Sequence, residues 1–134
     1  MPVTGTQVDN EAIRLACRLG KKNKAKIWVV YVITVRRSLP IEAEIEPEIR
    51  KAEDLLDSIE GVAGEENYEV KTDVLQAREA GSAIVDEAVE RGVDLIVMGI
   101  PYKRRFGLFS LGTVVPYVLT NAPCRIILYR EHSA

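Results

Sequence analysis

The chain has 134 residues, a formal net charge of −2, 47% apolar residues and 28% charged ones, which fits one globular domain around one core. Its slightly acidic balance excludes a general attraction to nucleic acid or anionic lipid, so such a role would need a local basic patch such as Lys103-Arg104-Arg105. The longest apolar runs, such as "IWVVYVI", are far shorter than the roughly 20 residues of a bilayer-crossing helix.

Asp9 and Asn10 are candidate N-caps of a helix over residues 10–19, with Ile13, Ala16 and Cys17 on one face and Gly20 as its stop. Residues 26–34, "KIWVVYVIT", are β-branched and continuously apolar, so they read as a strand buried on both faces. An irregular piece around Arg36 to Pro40 leads to an amphipathic helix carrying Ile45, Ile49, Ala52, Leu55, Leu56 and Ile59 at helical spacing. Its carboxylates, Glu42 to Asp54, read as a solvated face and not as a metal site. Residues 68–75, "YEVKTDVL", alternate as in a strand near a sheet edge. Gly81-Ser82 open a helix that Gly92 stops, and 94–99, "DLIVMG", is a second buried strand. A short helix over 113–119 tolerates Pro116 in its first turn, and 124–129, "CRIILY", makes the last strand. Strands alternating with helices imply a mostly parallel sheet covered on both faces, with ligands at the C-terminal strand ends.

The stretch "IVMGIPYKRRFGLFSLGT", residues 96–113, leaves the second buried strand at that end. It gathers cationic, glycine and hydroxyl groups before a helix. Gly112 permits close backbone approach, Thr113 adds a hydroxyl at the helix start, and the helix N-terminus offers unpaired N–H groups. Lys103, Arg104 and Arg105 can neutralise phosphate. From these residues alone, an anion-binding loop and a merely solvated loop stand as equal readings. No GxxxxGK[ST] and no GxGxxG occurs.

The "VTGT" turn, "WVVYVI", "GSAIVDEAVERGVDLIVMG", the glycine loop and "NAPCRIIL" together resemble the universal stress protein family over nearly the whole chain. The resemblance implies a Rossmann-like, doubly wound α/β fold of the adenine-nucleotide α-hydrolase kind. It implies a mostly parallel five-stranded sheet of strand order 3-2-1-4-5. In nucleotide-binding members the loop runs Gly, two residues, Gly, nine residues, then Gly followed by Ser or Thr. Gly99 and Gly112-Thr113 keep that spacing, and Tyr102 replaces the second glycine. By the same resemblance the Val32 backbone meets adenine and Gly99 lies near the ribose. Gly112, Thr113 and Val114 bind phosphate, with Tyr102, Lys103 and Arg104 alongside. The family's first strand ends in Val-Asp-Gly-Ser or similar, and Thr4 stands here in place of that acid. Only Met1, Pro2 and Val3 precede the turn, so the first strand is expected to be short.

The implied ligand is ATP or AMP, with magnesium present only when ATP carries it. The implied assembly is a homodimer paired through residues 124–129, whose apolar edge favours pairing. Arg125 replaces a proline often found in the family and restores an N–H donor. No catalytic constellation is visible, since the sole histidine, His132, lies in the C-terminal tail. The expected function is a cytoplasmic stress-response sensor or adaptor and not a catalyst, with no nucleic-acid or membrane partner. The alternative is an interaction dimer that has lost its nucleotide, with Tyr102 and Thr4 as the marks of loss. Cys17 and Cys124 form no CxxC and read as small buried hydrophobes of a reducing compartment. Met1-Pro2-Val3 shows no signal-peptide pattern, which supports the cytoplasmic expectation.

Overall fold

The β-branched apolar runs form the strands, and the helices cover them in two layers. The computed structural model describes residues 1–102, 104–105, 108–109 and 111–132. In chain order these are α1 (Val8–Asn23), β1 (Trp28–Thr34), α2 (Glu46–Glu65), β2 (Lys71–Ala77), α3 (Ala80–Arg91) and β3 (Leu95–Ile100). A short antiparallel strand pair, β4 (Arg104–Arg105) with β5 (Leu108–Phe109), precedes α4 (Val114–Asn121) and β6 (Arg125–Arg130).

Side-chain alternation along the strands separates two cores. Val29, Tyr31 and Ile33 of β1 and Val97 of β3 pack with Ile13 and Cys17 of α1 and Ala52, Leu56 and Ile59 of α2. Ile96, Met98 and Ile100 of β3 point the other way, against Ile84, Val85 and Ala88 of α3 and Val115 and Val118 of α4. The expected α/β architecture with parallel strands and helices on both faces is therefore present.

β1 pairs in parallel with β2, placing Val32 beside Leu75, and β3 pairs in parallel with β6, placing Gly99 beside Tyr129. Among the described residues the pairing joins β1 with β2 and β3 with β6 as separate pairs, which does not establish a single five-stranded sheet of order 3-2-1-4-5. Met1 to Val3 contribute one parallel bridge, Pro2 to Val30. There the Val3 N–H donates to the Val30 carbonyl at 2.9 Å and the Val30 N–H donates to the Met1 carbonyl at 3.0 Å. The Met1 amine donates to the Trp28 carbonyl at 2.6 Å. Met1 and Val3 thus direct their polar groups at β1, and alternation turns the edge of Pro2 away from it. Proline has no N–H to offer on that side. The expected first strand is in this way reduced to a single bridge.

One of the two glycine-marked helix ends differs from expectation. Gly20 lies inside α1, and the left-handed residue closing it is Lys24, φ 51°. A Cβ at Gly20 would stand 3.3 Å from Ile27 Cδ1 and from the Tyr68 hydroxyl, so this glycine serves a close packing and not a stop. Gly92, at φ 61°, does cap α3 as expected. Arg91 of α3 stacks on the Trp28 ring of β1 at 3.7 Å and donates to Asp73 of β2 at 3.1 Å and to Glu87. Three elements are clamped by that one guanidinium.

Candidate functional site

The C-terminal ends of the strands converge on two short segments: the Thr4–Asp9 turn and the start of α4. Gly5 adopts φ +93°, a conformation that only glycine takes without strain. Asp9, read from sequence as an N-cap, faces back into this turn. Its carboxylate accepts from the Gly5 N–H at 2.8 Å and from the Thr4 N–H at 3.1 Å, and its own N–H donates to the Thr6 carbonyl at 3.1 Å. Asp9 is 1% exposed. Burial pushes its carboxyl above the ordinary range, opposed by the backbone hydrogen bonds from Gly5, Thr4 and Thr6. Thr4 itself is exposed, so the turn presents a neutral hydroxyl residue over a buried acid.

Val8, the first residue of α1, carries this turn to the end of β3. A Cβ on Gly99 would meet Val8 Cγ1 at 3.3 Å and the Ala12 Cβ and Val8 carbonyl at 3.4 Å. Glycine at 99 therefore suits the close approach of α1, which a Cβ would have to push back by a few tenths of an ångström. Val32, half-buried in β1, packs against the α3/α4 core, as does Val114 at the start of α4. The fold thus sets Val32 and Val114 against one apolar cluster and Thr4 and Gly99 against α1.

Tyr102, at the position of the missing loop glycine, is drawn toward the end of β6. Its N–H donates to Glu131 at 2.8 Å, and the Arg130 guanidinium lies 4.6 Å from its ring centre. Gly112 adopts φ +72°, and a Cβ there would meet no described residue within 4 Å. Thr113 follows as the N-cap residue, and its side chain makes no cap hydrogen bond to α4. The start of α4 thus follows a left-handed glycine, and a helix N-terminus of this kind is suited to an anion. Arg104 pairs through its backbone with Phe109, and Arg105 with Leu108, so these two arginines lie on a short antiparallel strand pair. Lys103 lies outside the described residues, as do Gly107 and Ser110.

Sequence reasoning missed several supports of this region. Gln76, at the end of β2, donates to the Ile41 and Ala43 carbonyls at 3.0 and 2.9 Å. Arg78 donates to the Val35 carbonyl at 3.3 Å and to that of Arg36. Together they fasten the β1–α2 connection over the strand ends. Glu131 and Arg130 were equally hidden, because the β3–β6 register alone brings them to Tyr102. No signal in the sequence marks either set. Among the described residues no group of three His, Cys, Asp or Glu side chains is placed to hold a metal. A cleft of about 380 Å³ lies at the opposite end of the strands, lined by Pro2, Ile27, Trp28, Ile84, Ile96 and Val97 among others. It is remote from the loop.

Comparison with known proteins agrees with this geometry. The universal stress protein family model matches residues 1–130. A universal stress protein of Methanocaldococcus jannaschii is 30% identical over 137 residues, covering 98% of this chain and 80% of that protein. A universal stress protein structure from Archaeoglobus fulgidus superposes with a TM-score of 0.81 at 20% identity, covering 95% of this chain and 93% of that one. The structure of the Archaeoglobus fulgidus protein in complex with dAMP gives 0.75 at 21% identity, covering 95% and 92%. The fold, the spacing of Gly99 to Gly112-Thr113 and these matches lead to one assignment: the chain belongs to the universal stress protein family.

Proposed function

We propose that this protein is a cytoplasmic adenine-nucleotide-binding stress-response domain, acting as a homodimeric sensor or adaptor and not as a catalyst. The observation that carries the reading is the start of α4, where Gly112 at φ +72° stands before a helix whose N-cap side chain, Thr113, makes no cap hydrogen bond. In this reading the nucleotide spans from Thr4 and the Val32 backbone, at the base, past Gly99 at the ribose to Gly112, Thr113 and Val114 at the phosphates. Lys103 and Arg104 add positive charge. ATP and AMP are the proposed ligands, magnesium arriving only with ATP. Support comes from the dAMP complex of the Archaeoglobus fulgidus relative.

The dimer is proposed to form through β6, whose outer edge has Leu128 exposed. The five-strand order 3-2-1-4-5 is proposed for the sheet once Met1 to Val3 are counted between β1 and β3. The test is titration of dialysed protein with a fluorescent ATP analogue, beside mass spectrometry of any small molecule released on denaturation. Saturable binding that weakens in Gly112→Arg supports the reading. Absence of binding at millimolar nucleotide leaves the interaction dimer in its place.

A further inference from the structure

The proposed nucleotide contacts leave the buried Asp9 carboxylate unused, although the chain is built around it. An isolated buried acid is costly unless hydrogen bonds offset its desolvation. Here two successive N–H groups, of Thr4 and Gly5, converge on one carboxylate oxygen, and the Asp9 N–H returns a bond to the Thr6 carbonyl. The loop closes on itself from both directions. Its shape demands φ +93° at Gly5, and its exit, Val8, packs at Gly99 on the end of β3. Thr4 is held on the exposed side of that closure.

We infer that Asp9 is a positioning residue for the base end of the nucleotide site. Its carboxylate locks the Thr4–Gly5 turn in the form that presents Thr4 to the purine, without touching the ligand itself. The inference rests on the nucleotide reading above and adds to it a residue that acts on base recognition and not on phosphate binding. A carboxylate suits this role because its charge strengthens both bonds that the one oxygen accepts, and a neutral asparagine oxygen in its place holds the turn more weakly.

The test compares ATP with tripolyphosphate, a probe that has phosphates and no base, in the parent chain, Asp9→Asn and Gly5→Ala. Gly5→Ala reaches the same turn by another route. Its Cβ would make only an ordinary contact, 3.7 Å from Leu55 Cδ2, yet φ +93° strains any L side chain. Both variants are expected to lose about tenfold in ATP affinity, the equivalent of one charge-assisted hydrogen bond, and to keep tripolyphosphate affinity. Amide exchange at Thr4 and Gly5 should accelerate in Asp9→Asn while α2 keeps its protection. Equal losses for ATP and tripolyphosphate, or unchanged ATP affinity in both folded variants, overturn the assignment of Asp9. A parent chain that binds no ATP overturns the nucleotide reading itself, so the two failures are distinct.

Discussion

Replacing Gly99 by alanine separates two reasons for a glycine at the end of β3. The resemblance assigns it to the ribose, whereas the packing assigns it to α1. An alanine Cβ would sit 3.3 Å from Val8 Cγ1 and 3.4 Å from the Ala12 Cβ and Val8 carbonyl, where relaxed carbon contacts lie at about 3.5–4.0 Å. The first turn of α1 must retreat by a few tenths of an ångström. Overpacking of this kind costs about 1–2 kcal/mol. Reduced freedom of the unfolded chain returns about 0.4–1 kcal/mol. A net loss of about 0.5–1 kcal/mol follows, or about 2–5 °C in Tm for a domain of this size. Gly99→Val directs further methyl groups into the same gap and should lose about 2–3 kcal/mol. Urea and thermal unfolding, run beside an ATP titration, read both effects. Parent-like stability combined with lost ATP affinity would refute the packing argument and return Gly99 to the ligand.

Other perturbations probe different parts of the molecule. Gly112→Arg meets no described residue at its Cβ, and its left-handed backbone is strained by about 1 kcal/mol. Its ATP affinity should drop at least about tenfold in the same titration, since the side chain fills the anion cradle. Asp9 makes stability depend on pH in a defined direction. Its folded carboxyl titrates above the unfolded value of 3.8, so its contribution is fully present below that value and is lost as pH rises through the folded one. Urea midpoints measured from pH 4 upward should therefore decline less steeply in Asp9→Asn than in the parent. Arg91→Ala removes the guanidinium stacked on Trp28 and bonded to Asp73 and Glu87. It should cost about 1–2 kcal/mol and shift Trp28 fluorescence, with Arg91→Lys restoring little of either.

The parallel layering was legible because β1 and β3 are continuous apolar runs, and Gly92 marked the end of α3 by cap chemistry. Gly20 misled because a glycine also appears wherever two elements approach closely, and Tyr68 lies far along the chain. The β4–β5 pair escaped notice, since two-residue strands carry no periodicity. At the site, Gly112-Thr113 was readable from spacing. Asp9 was seen as a helix cap, although a carboxylate at a helix start can equally serve the turn before it. That choice depends on chain reversal, which local pattern does not record. The partners of Tyr102 depend on the β3–β6 register and were beyond reach for the same reason.

The separation of the two strand pairs has a mechanical consequence. Among the described residues the bridge outside the named strands is Pro2 to Val30, on the β1 side. Helix packing carries much of the coupling across the gap between the pairs, since α1 packs on both α2 and β3. A molecule gripping Thr4 and Val32 on one half and Thr113 on the other would act as a rivet across that seam. Occupancy would then be felt as rigidity throughout the domain, not merely at the loop.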